Sequence, residues 1–151
     1  IIRPFNIYGP GMQQNDYRVL PNFASNIKSN LPLNIYSSGN QTRTYCYITD
    51  AIVGFLKVIL NGVSGEAYNI GNSEPEISVM ELFEIIQKIL PNKLQRINVD
   101  YPSTYPTDEP QRRCPDISKA QNHLNFKPTV GIEDGIKRFL IWTNLNYKKK
   151  I

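Results

Sequence analysis

The side chains best suited to hold an anion fall in three short stretches that interrupt the apolar pattern of the chain. They are Arg3-Pro4-Phe5-Asn6-Ile7-Tyr8-Gly9-Pro10, Tyr36-Ser37-Ser38-Gly39-Asn40-Gln41-Thr42-Arg43 and Asp108-Glu109-Pro110-Gln111-Arg112-Arg113-Cys114-Pro115-Asp116. Polar and Gly/Pro clusters between apolar elements are where binding groups usually sit on a scaffold. In the first stretch Asn6 follows a short apolar run and could present an amide at the carboxyl end of a strand, although the same residue alone reads as a turn former. In the second, a Ser/Gly/Asn/Gln loop leaves backbone N–H groups free and Arg43 adds a planar fork of donors, a combination suited to a phosphate or diphosphate. A plain polar hairpin loop is the competing reading. In the third, Arg112 and Arg113 entering a helix N-terminus would add charge to N–H groups pointing the same way. Two solvated arginines paired with Asp108 and Glu109 are the alternative. Arg18, just before a helical run, is a fourth cation.

Conventional catalytic patterns are absent. His123, the one histidine, lies in a helical stretch and reads as structural or exposed, so no nucleophile–histidine pair suggests itself. None of the nine tyrosines is followed four residues later by Lys, and no G-x-x-G-x-x-G occurs. Cys46 and Cys114 are far apart and lack metal or redox spacing, so neither a disulfide nor a metal is assigned. Trp142 reads as a core residue.

Periodicity supplies the elements that must hold these side chains. Val19, Leu20, Phe23, Ala24 and Ile27 repeat at helical spacing, and Leu33 to Tyr36 follows as a strand. Arg43 to Ile48 has high β propensity. A helix capped by Thr49 or Asp50 then presents Ile52, Phe55, Leu56, Ile59 and Leu60 on one face. Ala67 to Gly71 reads as a buried strand. Ser78 and Glu81 form a capping box that opens a helix running to about Leu90, and Ile97 to Val99 is another strand. Tyr101 to Pro115 is aperiodic and proline-rich, which marks a functional loop. Asp116 caps a helix carrying Ile117, Ala120 and Leu124, and a last helix turns Ile136, Phe139 and Leu140 inward. Strands alternating with helices imply an α/β or α+β unit.

The 151 residues, 40% hydrophobic and 20% charged, suit one globular unit. Part of the +4 net charge comes from Lys148, Lys149 and Lys150, which read as a solvated end. The remaining arginines are spread along the chain, so an anionic small molecule accounts for the basic balance more economically than nucleic acid. No membrane span or signal peptide is evident, which points to the cytoplasm. Because Ile1-Ile2-Arg3 reads as a strand already under way, the chain is expected to be part of a longer polypeptide.

In this order the three stretches resemble the C-terminal half of the extended short-chain dehydrogenase/reductase family, the NAD-dependent nucleotide-sugar epimerases and dehydratases. The resemblance runs from Ile2 to about Trp142. It implies a Rossmann-type α/β fold, with residues 1–151 supplying the last sheet strands and the small substrate-binding domain. Asn15 to Phe23 and Asp108 to Ala120 look most like the UDP-glucuronate decarboxylases, although Tyr17 and Cys114 depart from that pattern; dTDP-glucose 4,6-dehydratases and UDP-sugar 4-epimerases are alternatives. The resemblance assigns Arg43 and Arg113 to the substrate diphosphate, Asn6 to the sugar–phosphate linkage, Tyr36 to stacking on the base, and Arg18 to the nucleotide or cofactor side. It places the catalytic Tyr, Lys and Ser/Thr and most of the NAD site in the preceding half, so that this chain alone turns over no substrate. It also implies chemistry through a 4-keto sugar and a full-length homodimer. A stand-alone, non-catalytic binding module is the reading of another class.

Overall fold

The computed structural model describes residues 1–14, 16–101 and 110–150. Two apolar cores organise them.

The larger core gathers Tyr8, Phe23, Leu33, Ile35, Tyr47, Leu82, Ile86, Ile136 and Phe139. Strand β1 (Ile2–Pro4) and β2 (Ile7–Tyr8) precede helix α1 (Val19–Ser29) and strand β3 (Leu33–Tyr36). Helix α1 buries Leu20, Phe23 and Ala24, the stripe its periodicity announces, and ends at Asn30. There the chain turns left-handed at φ 56°, a conformation Asn tolerates, and the Asn30 N–H closes back on the carbonyls of Asn26 and Ile27.

The β-prone run after Gly39 is not one strand. It splits into β4 (Thr42–Arg43) and β5 (Cys46–Tyr47), which pair with different partners. Strand β5 lies parallel to β2, with Ile7 opposite Cys46, while β4 is central in a three-stranded sheet. The chain changes sheets across Thr44 and Tyr45, and so the Tyr45 and Tyr47 rings both reach the Tyr8 ring in the core.

Helix α2 (Ile48–Asn61) corrects two expectations. Neither Thr49 nor Asp50 caps it; Tyr47 occupies the cap position, with no side-chain hydrogen bond. The single apolar face that spacing marks is also largely turned outward: Ile52, Leu56, Ile59 and Leu60 are 48–76% exposed, whereas Asp50, Ala51 and Gly54 are buried. The reason is steric. A Cβ on Gly54 would lie 2.5 Å from Ile70 Cγ2, so the helix backbone rests directly on β6 (Tyr68–Ile70) through small residues. Phe55 and Val58 pack beside that contact, and the other large side chains point away.

Strand β6 pairs in parallel with β1 over Ile2–Tyr68 to Pro4–Ile70. With Ile117, Ala120, Leu124 and Phe126 it forms the second, smaller core. After β7 (Ile77–Ser78), the capping box at Ser78 and Glu81 opens α3 (Val79–Ile89) as its sequence predicts. Strand β8 (Arg96–Val99) then pairs in parallel with β3. Strand β9 (Arg112–Arg113) lies parallel to β4, and β7 flanks β4 on its other side, antiparallel.

Helix α4 (Ser118–Leu124) follows Ile117; Asp116 Oδ1 nevertheless accepts from the Ser118 N–H at 2.8 Å, one position outside the usual cap. Helix α5 (Ile132–Asn146) buries Ile136, Phe139 and Leu140 as expected. Trp142 is half-buried, stacked on Phe139. His123 is exposed and its Nδ1 lies 3.4 Å from the Tyr68 hydroxyl. Among the described residues no helix is long and apolar enough to cross a membrane.

Candidate functional site

The three stretches, widely separated in sequence, meet. Strand β9 lies against β4 with Arg112 opposite Thr42 and Arg113 opposite Arg43, which brings the third stretch onto the second. Asn6 lies just past the end of β1, and its Nδ2 donates to the Arg113 carbonyl at 3.1 Å. The Asn6 carbonyl in turn accepts from the Cys46 N–H at 3.1 Å. A cleft of about 940 Å³ opens at this junction, and Asn6, Arg18, Tyr36, Arg43 and Arg113 all line it.

The five differ in how they are held. Arg43 is 8% exposed; its Nη1 donates to the carbonyls of Thr42 (2.8 Å) and Gln111 (3.2 Å), and its Nη2 to that of Pro110 (2.6 Å). Part of its fork therefore fixes the approach to β9 while the side chain still borders the cleft. Arg113 is exposed. Arg18 shares its charge with Asp16, its Nε donating to Oδ2 at 2.8 Å. Burial alone would raise the Asp16 carboxyl, but the hydrogen bonds and charge of Arg18 outweigh it and hold the group below its ordinary value. The Tyr36 ring stacks on Tyr101, with centroids 5.4 Å apart.

Two expectations about anion-binding N–H groups do not hold. In the Ser37–Thr42 loop the N–H groups are mostly committed: that of Ser37 to the Val99 carbonyl, Gly39 to Tyr36, Asn40 to Ser38 Oγ and Thr42 to Gln111. The loop curls on itself through left-handed Ser37 and Gly39 and then joins the sheet. Arg112 and Arg113 do not enter a helix N-terminus either; they form β9, and α4 begins only at Ser118. The pairing with β4 takes up their backbone. Asp108 and Glu109 lie outside the described residues; among those described, Arg112 pairs with Glu76, Nη2 to Oε2 at 2.7 Å.

Three further residues support the site: Glu76, which no sequence pattern marks, Gln41, marked only as part of its polar loop, and Asp50, which its position presents as a helix cap. Glu76 bridges Thr42 Oγ1 (2.5 Å) and Arg112, hydrogen bonds that hold its carboxyl below the ordinary glutamate value, Thr42 first and Arg112 second. Gln41 Nε2 reaches the Tyr101 hydroxyl at 3.3 Å and the Tyr36 carbonyl at 3.4 Å, tying the two rings together. Buried Asp50 accepts from the N–H groups of Thr129 (2.9 Å) and Val130 (2.8 Å) and from Thr129 Oγ1 (3.0 Å), anchoring the loop that leads into α5. Only Gln41 stands within a stretch that polarity alone marks.

On the floor of the cleft the Tyr8 hydroxyl is pushed far up, by burial first and the neighbouring Tyr47 second, so it acts as a neutral group. Among the described residues no group of three His, Cys, Asp or Glu side chains is placed to hold a metal. Three arginines, an amide and stacked tyrosines can hold a phosphorylated, ring-bearing ligand; they do not make a proton-transfer or nucleophilic apparatus.

Comparison with known proteins decides the family. A sequence model of the NAD dependent epimerase/dehydratase family matches residues 1–71. The chain is 33% identical over 141 residues to UDP-glucuronic acid decarboxylase 1 of Arabidopsis thaliana, covering 93% of this chain and 31% of that protein. The chain belongs to the NAD-dependent epimerase/dehydratase family. A second family member, UDP-N-acetyl-alpha-D-glucosaminuronate decarboxylase of Bacillus cytotoxicus, is 33% identical over 145 residues, 94% of this chain and 45% of its own length. The fold agrees: UDP-glucuronic acid 4-epimerase from Bacillus cereus, solved with UDP-glucuronic acid and NAD, superposes with a TM-score of 0.84 at 27% identity over 97% of this chain. The chain spans 45% of that epimerase, and less than half of each of these family members.

Proposed function

We propose that this chain is the nucleotide-sugar-binding C-terminal part of an NAD-dependent sugar-nucleotide enzyme, most like a UDP-glucuronate decarboxylase acting through a 4-keto sugar. The observation that carries the reading is the single cleft bordered by Asn6, Arg18, Tyr36, Arg43 and Arg113. In this proposal Arg43 and Arg113 hold the diphosphate, Asn6 the sugar–phosphate linkage and Tyr36 the base, with Arg18 toward the nucleotide or cofactor. Their contribution is positional: binding energy from the remote nucleotide fixes the sugar for reaction, an effect worth several kcal/mol of barrier.

Among the described residues no helix start offers NAD a pyrophosphate cradle. The described helices start after Arg18, Tyr47, Ser78, Ile117 and Gly131, none of them a Gly-rich turn able to bring N–H groups onto a pyrophosphate. We therefore assign the cofactor and the catalytic residues to a companion half, and residues 1–151 to substrate binding and completion of the sheet. The outward side of α2 supports this. With Phe55 and Val58 on one side and Ile52, Leu56, Ile59 and Leu60 on the other, the helix is apolar nearly all round, the pattern of one covered on both sides. The two-stranded parallel pair β1–β6 is likewise the kind of sheet normally buried between helices. The same reading makes the complete protein a cytoplasmic homodimer that acts on a nucleotide sugar.

The test is a chimera in which this chain replaces the matched portion of the Arabidopsis decarboxylase. Given UDP-glucuronate and NAD, the chimera is expected to release carbon dioxide and the isolated chain to release none. A folded chimera that binds UDP-glucuronate but releases no carbon dioxide would move the assignment away from decarboxylase, and one that binds no UDP-sugar would refute it. Turnover by the isolated chain would remove the need for a companion half.

A further inference from the structure

A second groove, of about 540 Å³, lies away from the cleft, between α1, the end of α3 and α5. Its floor is apolar, with Ile27, Leu90 and Ile141, and its rim carries Lys28, Lys137 and Lys149; no carboxylate lines it among the described residues. The apolar surface continues outward, since Ile141 is 61% exposed and Leu145, one helical turn on, 79%.

The three lysines come from separate elements: Lys28 from α1, Lys137 from α5 and Lys149 from the segment after it. The Lys28 Nζ donates to Asn144 Oδ1 at 3.1 Å. The C-terminal lysine cluster, which its sequence presents as a loose solvated end, is tied to Gln14 and to α1: the Lys148 N–H donates to Gln14 Oε1, the Lys150 N–H to Ser29 Oγ and the Lys150 Nζ to Asn26 Oδ1, each at 2.8 Å. The backbone on both sides of Lys149 is thereby anchored at the groove edge, and three cations surround an apolar trough.

We propose that this groove docks an acidic amphipathic segment of a partner polypeptide, with apolar side chains seated on Ile27, Leu90 and Ile141 and carboxylates facing Lys28, Lys137 and Lys149. Charge complementarity carries the choice of occupant. Cations distributed around a trough match several carboxylates along a peptide, whereas a single-headed amphiphile satisfies one of them and a flat bilayer leaves the concave floor uncovered.

The experiment titrates the 151-residue chain into a dye-labelled synthetic peptide with Leu and Glu at helical spacing, read by fluorescence anisotropy. Saturable binding is expected, weakening as salt rises from about 0.05 to about 0.5 M because the exposed charges become screened. Ile141→Asp and Lys137→Glu, both at exposed positions and checked for unchanged thermal unfolding, should each weaken it roughly tenfold. A peptide with Gln for every Glu should bind correspondingly less. The proposal is overturned by the absence of saturable binding, by affinity indifferent to both substitutions or to the Gln exchange, or by phosphatidylserine vesicles binding the folded chain when the peptide does not.

Discussion

The Asn6 side chain donates its amide N–H to the Arg113 backbone carbonyl at 3.1 Å, so the first stretch of the chain is pinned to the strand that places an arginine in the cleft. Asn6 itself sits at φ 46°, in the left-handed region that Asn tolerates better than most residues. The two roles separate by substitution. Asn6→Ala should cost about 1–3 kcal/mol, combining backbone strain with loss of the hydrogen bond. Asn6→Gly relieves the strain and should cost no more than about 1.5 kcal/mol while still lacking the amide. Chemical denaturation of both variants reads the difference.

Arg43 and Arg113 should behave differently although both border the cleft. Arg43 is buried and donates to three backbone carbonyls, so Arg43→Lys, which loses the planar fork, should cost about 1.5–3 kcal/mol of stability and also weaken UDP binding. Arg113 is exposed, and Arg113→Ala should leave the melting temperature nearly unchanged. In the complete enzyme it should lower kcat/KM roughly tenfold or more, about 1.4 kcal/mol. Thermal melts alongside steady-state kinetics check the pair.

Asp50 takes three hydrogen bonds from the Thr129–Val130 segment and is buried, and Asp50→Ala leaves those donors without their acceptor. The expected loss is about 2–4 kcal/mol, seen as a lower denaturation midpoint at unchanged slope.

Glu76 gives a pH signature. Its carboxyl is held below the ordinary glutamate value by the hydrogen bonds from Thr42 and then Arg112. A group whose folded value is depressed contributes stability above its unfolded value and loses it as the pH falls through the folded one. The melting-temperature gap between the parent and Glu76→Gln should therefore be present at neutral pH and close as the pH drops below the ordinary glutamate value. A gap that widens toward acid would contradict the assignment.

How much of this was legible in the sequence follows from which interactions are local. Helix α3 and its capping box, the stripe of α1 and the inward face of α5 are set by residues three or four apart, so spacing reveals them. Helix α2 misleads because apolar residues surround it, and only the close approach of Gly54 to Ile70 fixes which side meets β6. Local spacing puts Arg112 and Arg113 at a helix start because their partners, Thr42, Arg43 and Glu76, lie far away in sequence. Asp50 reads as a cap for the same reason, since the donors it accepts from belong to distant Thr129 and Val130. The candidate site residues were individually visible as polar punctuation. Their convergence was not, since it depends on β9 pairing with β4 and on the Asn6 amide.

The most direct measurement is isothermal titration of UDP into the 151-residue chain and its Arg113→Ala variant, both confirmed folded. The proposed cleft predicts saturable one-to-one binding by the parent chain and an affinity roughly tenfold weaker, about 1.4 kcal/mol, in the variant. Identical isotherms for the two proteins, or no saturable heat from the folded parent, would contradict a diphosphate site built from Asn6, Arg43 and Arg113.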